Sequence, residues 1–430
     1  MRSLPGGTRR PWSDGLILPV AAAALGCLGL GCAPQFLGPY ACLDGYASCI
    51  NPSANECETN LTTDALNCGA CGMACGVGAA CANSMCGMPA QQLAPLSGLT
   101  GQQNTLEVNS SAVFWLDNQN GQPPAIHSVP IGGGSPATVA MDLFCQSPRT
   151  FAVDDANVYY VSAGNGLGGG PDLVEVPLVG GATTVLVSSG NGGGSCPVLA
   201  VDQTNLYALT QVAQGGPSVS ELVEVPIAGG APTTLATSST YSPNALGLTP
   251  TDAIVQVTNN SGPASFAAIP LAGGSPVPLP ASGDEGGPFG FVADATNIYS
   301  VGSFCPCNGN GPSYDGPPNG QVVMQPIGGG AQTVLARFTG AASSIAVDSD
   351  SVYWSTDTAV WKVPIAGGPA LPVAGSLTSM SNGASGAGYQ CTGCGGGSPA
   401  SVTTLIAVDA TSIYIADFAP DVDAILKVPK

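Results

Sequence analysis

The chain has 430 residues, enough for two or three domains or for one large repeat ring. Its 61 glycines and 38 prolines, with only 8 % charged residues, suit many short strands joined by tight turns and exclude long solvent-exposed helices. A net charge of −19 repels phosphate backbones, and with no basic patch the chain is excluded from nucleic-acid and anionic-lipid binders.

Residues 1–32 read as an export signal. Arg2, Arg9 and Arg10 precede the apolar run "LILPVAAAALGCLGLG", which is short for a membrane span. The text "LGLGC" resembles a bacterial lipoprotein box ending at Cys32, with Gly29 where leucine is usual and Cys27 in "AALGC" competing for the role. Parity favours Cys32. Lipidation there, with Cys27 removed, leaves fourteen of the sixteen cysteines to pair, whereas lipidation of Cys27 leaves an odd thiol. The resemblance implies an outer-membrane or cell-surface lipoprotein that touches the membrane through its lipid anchor only. Ordinary cleavage would instead secrete the chain. Loss of three cations and one anion with the signal takes the net charge to −21.

Residues 33–87 form a cysteine-rich module. Cys42, Cys49, Cys57, Cys68, Cys71, Cys75, Cys81 and Cys86 lie in a stretch too poor in aliphatic side chains to bury its own core, so disulfides must substitute for one. The segment "NCGACGMACGVGAACANSMC" resembles the cysteine pattern of the stigma-specific protein family, which implies an extracellular disulfide knot. Cys68, Cys71 and Cys75 also have zinc-ligand spacing, but an exported chain favours disulfides, and the pairing stays open.

From 88 to 430 the chain repeats itself. The X-Pro landmarks Pro130, Pro177, Pro226, Pro270, Pro326, Pro364 and Pro429 recur at intervals of 38 to 65 residues, the range of propeller blades. Each unit reads as four short strands, as in "RTFAV", "VYYVSA", "DLVEVPL" and "ATTVLVSS", with period-two alternation between turn residues. Asp154, Asp202, Asp294, Asp348 and Asp409 open the first turn of their repeats, where a carboxylate can accept backbone N–H groups two and three residues on. Asn109 can do the same in the first repeat. Thr249 stands there in a fourth repeat that lacks the usual Tyr. The seventh repeat stops at "AILKVPK", and "PAQQLAPLSG" near residue 89 supplies text like the missing fourth strand, so an N-terminal strand is expected to close the last blade. The fold class is therefore all-β: a β-propeller of seven blades, or six if the fourth repeat is an insertion.

The strands "FWLD", "VYWSTD" and "IYIAD" resemble the YWTD repeats of lipoprotein-receptor propellers and the TolB-like propellers of bacterial envelopes. Those families imply ligand or partner binding and are usually six-bladed. The connections between second and third strands, and between blades, carry every long insertion, among them "SAGNGLGGGPD", "SFCPCNGNGPSYDGPPNGQ" and residues 375–401. Recognition is expected on that end. Cys145, Cys196, Cys305, Cys307, Cys391 and Cys394 map to it as loop staples, with a four-thiolate metal site as the rival reading.

Tyr314, Asp315 and Tyr389 are the binding-face candidates, since aromatics on long loops can meet a glycan or a protein. Trp115, Trp354 and Trp361 read as blade core and the single His127 as a structural strand residue. No GxSxG elbow occurs, and no catalytic residue is assigned. No cofactor is expected, although "GDEGG" and "SYDGPPN" offer oxygens to calcium without a spaced ligand series. The expectation is a monomeric, non-enzymatic envelope or secreted binding protein for a protein or glycan ligand. A propeller-class lyase or glycan hydrolase, or a purely structural surface protein, is the alternative.

Overall fold

A computed structural model describes residues 18–19, 40–42, 45–49, 57–73, 75, 80–82, 85–87, 90–96, 105–117, 124–145, 149–163, 171–188, 196–212, 219–257, 265–279, 288–304, 319–339, 342–356, 359–375, 404–417 and 424–430. All regular structure among them is β, and no helix is long and apolar enough to cross a membrane. The chain divides into two compact units, Met1–Pro89 and Ala90–Lys430.

The first unit holds little regular structure. Tyr46–Ala47 pairs with Thr59–Asn60, and Ala80–Ala82 pairs with Met85–Gly87. Its order comes from bridges Cys42–Cys57, Cys49–Cys71 and Cys68–Cys81, and Cys75 is bridged as well. Cys68 and Cys71 thus pair with different partners rather than converging on zinc. These three pairings resolve part of the connectivity that the sequence left open.

The second unit is a seven-bladed propeller of seven four-stranded antiparallel sheets. Blade 2 is typical: Phe151–Val153, Asn157–Ser162, Asp172–Pro177 and Thr184–Ser188 follow one another outward from the ring centre. The fourth repeat, for all its divergent text, builds a full blade from Tyr241–Leu248, Asp252–Val257, Ser265–Pro270 and Val277–Leu279, which decides for seven blades over six. In the last blade Leu405–Val408, Ser412–Asp417 and Ala424–Pro429 take their fourth strand from Gln91–Pro95, so the ring closes with strands from both ends of the unit.

The core lies between blades, and the period-two pattern puts it there. Along Ala112–Asp117, Val113 and Trp115 pack with Tyr414, Ala416 and Ile425 of blade 7. The intervening Phe114 and Leu116 pack with Phe151, Val158 and Tyr160 of blade 2. Each blade thus buries both faces against its neighbours, and burial of one such side chain contributes about 1.5–3 kcal/mol. Trp115 and Trp354 are buried in these layers, and Trp354 stacks with Trp361. His127 stacks on Trp115, meets the hydroxyl of Thr138 and lies 3.5 Å from Asp117, a packed strand residue.

Two turn devices explain the recurring text. The third strand of each blade ends in Pro, whose carbonyl accepts the N–H of a glycine three residues on in blades 1 to 6, as in Gly133 to Pro130 at 2.8 Å. That glycine and the next both have positive φ, 88° and 151° for Gly133 and Gly134, which explains why Gly-Gly is repeated. At the first turn, Asp154 Oδ1 accepts the N–H groups of Ala156 and Asn157 at 2.7 and 2.6 Å. Asn109 and Thr249 hold their own turns in the same way.

The second oxygen of each turn aspartate does something further. Asp154, Asp202, Asp294, Asp348 and Asp409 each accept the hydroxyl of the buried tyrosine five residues on, at 2.6–3.0 Å. Where the aspartate is missing the tyrosine is missing too: Asn109 is followed by Phe114 and Thr249 by Ile254. Burial pushes these tyrosine hydroxyls well above their usual range, Tyr207 up to about 12, with the aspartate adding to the effect. Burial alone would raise the acids, but the tyrosine and backbone hydrogen bonds, and at Asp348 first of all the Lys430 ammonium, hold Asp202, Asp294, Asp348 and Asp409 below the usual carboxylate value.

Candidate functional site

The two kinds of turn just described share one end of the ring. Connections between second and third strands, and from one blade to the next, share the other, because neighbouring strands run antiparallel. Cys145 and Cys196 lie at this second end and are bridged, tying the connection into blade 2 to the connection into blade 3. Cys32, Cys305, Cys307, Cys391, Cys394, Tyr314, Asp315 and Tyr389 lie outside the described residues, as does the side chain of Cys86.

In the ring centre the described residues place a charged pair, Arg149 at this end and Glu107 further along the inner strand, two residues before the first turn. Arg149 stands just before the inner strand of blade 2, with a left-handed backbone at φ 58°. Its N–H donates to the Thr105 hydroxyl of blade 1 at 2.6 Å, and its carbonyl accepts the Leu199 N–H of blade 3 at 2.9 Å. The guanidinium crosses the ring to donate to the carbonyl of Leu246 in blade 4 at 3.2 Å and that of Phe291 in blade 5 at 3.4 Å. One residue therefore touches five blades.

Glu107, on the inner strand of blade 1, shares this space. It is half-buried, and its carboxyl makes no hydrogen bond or ion pair with any described residue. Burial pushes its carboxyl up to about 7, against the pull of Arg149. Burial likewise lowers the Arg149 guanidinium, which Glu107 partly offsets. Among the described residues no group of three His, Cys, Asp or Glu converges to hold a metal ion.

Reasoning from sequence passed over both residues. A signal was nevertheless present in the aligned repeats. Two residues before the first turn residue, the blades read Glu107, Ala152, Ala200, Gly247, Val292, Ala346 and Ala407, one acid among six small or apolar residues. Five residues before it they read Asn104, Arg149, Pro197, Asn244, Phe289, Ser343 and Thr404, with a single cation.

No known protein family matches the chain, and no curated protein sequence does. Solved structures do share its fold. An oligogalacturonate lyase in complex with manganese superposes with a TM-score of 0.51 at 12 % identity, over 79 % of this chain and 92 % of that one. An oligogalacturonate lyase from Vibrio parahaemolyticus gives 0.51 at 10 % identity, over 79 % and 93 %. TolB from Acinetobacter baumannii gives 0.37 at 13 % identity, over 75 % and 64 %. For the two lyases, at these identities, the likeness is one of propeller fold alone. The bridged cysteines are those of a chain that folds in an oxidising environment.

Proposed function

We propose that this chain is an exported, non-enzymatic binding protein that captures a protein or glycan through the loop-rich end of its propeller. The observation that carries the reading is the asymmetry between the two ends. On one, every described turn is short and its polar groups are consumed by the fold. The other receives all the long connections, the Cys145–Cys196 bridge and Arg149. A long Gly- and Pro-rich loop costs conformational entropy to order on binding, and disulfides there reduce that cost beforehand.

In this reading Tyr314, Asp315 and Tyr389 contact the ligand, and Cys305, Cys307, Cys391 and Cys394 are stapled in pairs. Cys32 carries the lipid, residues 33–87 serve as a disulfide-bonded spacer, and the propeller acts as a monomer. The test is a glycan and protein ligand array with a soluble chain starting at residue 33. A hit should be lost when residues 303–321 are cut to a short turn or Tyr314 and Tyr389 become Ala, with thermal stability nearly unchanged. Capture that survives both changes contradicts the reading.

A propeller-class enzyme is the second reading, favoured by one feature: a carboxyl group in the ring centre that changes charge near neutral pH. A turnover screen on oligosaccharides and peptides separates the two. Any turnover abolished by Glu107→Gln would put the enzyme ahead.

A further inference from the structure

We propose that Arg149 and Glu107 form a binding site in the ring centre for a single carboxylate group, presented from the loop-rich end by a small organic acid or by the acidic terminus of a longer ligand. The proposal deepens the reading of that end as the recognition face and rests on it for access, but it does not depend on which loop contacts the rest of the ligand.

The arrangement of Arg149 exceeds what a structural tie requires. A non-glycine residue in the left-handed region costs about 1 kcal/mol, and the main chain at Arg149 is held there from two sides, by Thr105 and Leu199. Of the five N–H donors on a guanidinium, two are spent on the Leu246 and Phe291 carbonyls. Those two bonds fix the plane of the fork, and three donors are left without an acceptor among the described residues. A planar fork held in advance is the geometry that recognises a carboxylate through paired N–H bonds.

Glu107 supplies the second half. A half-buried carboxyl with no hydrogen bond is costly to keep, and the other six blades have none at this register. It is close enough to Arg149 to be coupled to it, but the two form no ion pair, so a ligand has no internal salt bridge to displace. Protonated, Glu107 can donate its O–H to a carboxylate held by Arg149. Ionised, it repels that carboxylate. Arg149 is the one charged group acting on it, and its raised titration point puts the change of state near neutrality. The counterparts of Glu107 in the other blades, Ala152, Ala200, Gly247, Val292, Ala346 and Ala407, bring no competing charge. The Cys145–Cys196 bridge lies four residues from Arg149 and braces the approach.

The test is calorimetric titration of the full mature chain with two matched pairs: glucuronate against glucose, and a dipeptide with a free C-terminus against its amide. At least one acid should bind and its neutral partner should not, and whichever acid binds identifies a sugar acid or a peptide terminus as the source. Arg149→Lys should weaken binding by roughly tenfold or more, because a point charge does not replace the fork. The unaltered chain should lose about tenfold in affinity from about pH 6 to about pH 8, while Glu107→Gln binds equally at both. The Glu107→Gln arm decides the matter even if Arg149→Lys fails to fold. Acids that bind no better than their neutral partners overturn the proposal, as does affinity unchanged by a well-folded Arg149→Lys or a pH profile unchanged by Glu107→Gln. Array hits that survive Arg149→Lys would sink this site and leave the loop-face reading standing. Carboxylate binding with an empty array would do the reverse.

Discussion

The turn end and the centre of the ring treat their charged residues in opposite ways. At the turn end, an aspartate recurs in five blades, and each time both oxygens are used, one on backbone N–H groups and one on a buried tyrosine. In the ring centre, Glu107 and Arg149 each break the repeat once, the Glu107 carboxyl has no hydrogen bond, and Arg149 keeps donors in reserve. Repetition marks the residues that build a blade, because every blade must solve the same folding problem. A charge that breaks the repeat answers to something else. This contrast argues against reading the turn aspartates as chemistry despite their number.

The largest effect should come from the seam that both ends of the ring depend on. Deleting Gln91–Pro95 removes the fourth strand of blade 7 and exposes the edge of Ala424–Pro429. Cooperative melting should be lost and the product should aggregate, read by scanning calorimetry and light scattering, since open edges template association. A deletion that melts like the parent would show that the ring does not need this strand.

Next in size is the bridge at the loop end. Cys145 and Cys196 are 51 residues apart, and replacing both with Ala should cost about 2–4 kcal/mol in denaturant unfolding. The turn end has no covalent tie among the described residues, so its integrity in this variant sharpens the contrast. Tyrosine fluorescence should report the same hooked environment as before.

A pH titration separates the ends with no mutation at all. The hooked tyrosines titrate higher in the folded chain than in the unfolded one, Tyr207 at about 12 against an ordinary value of 10. Their contribution is fully present below about pH 10 and is lost as pH rises toward the folded value, because the unfolded chain then gives up the proton first. Stability should therefore fall between about pH 10 and about pH 12. Flat stability over that window would mean the hooks are not formed.

The sequence carried the repeat well and the centre poorly, for a physical reason. Blade devices are local: Pro130 to Gly133, or Asp154 to Asn157, span three residues, and alternation along one strand already assigns its two faces. The ring closure was legible because the last repeat lacked a strand that the start could supply. The hook was missed although both partners were in view, since an aspartate turn looks complete once its backbone bonds are counted. The Arg149 contacts join residues 97 and 142 positions apart through the ring centre, and no periodicity reports a contact across the axis. Only the misfit of Glu107 and Arg149 with their counterparts in other blades gave a sign.

The most direct measurement of the contrast is the melting temperature of two variants at about pH 8. Asp294→Ala strips two N–H groups and the Tyr299 hydroxyl of their acceptor, and should destabilise by about 1–3 kcal/mol. Glu107 is different, because its folded titration point of about 7 lies above its ordinary 4.5. Its share of stability is intact below about pH 4.5 and is lost as pH rises through 7, so Glu107→Gln should stabilise at about pH 8, by on the order of 1–3 kcal/mol, and change nothing at about pH 4. Opposite signs at pH 8 are what the account predicts. If Glu107→Gln lowers the melting temperature as Asp294→Ala does, Glu107 is part of the scaffold and the distinction between repeated and unrepeated charges fails.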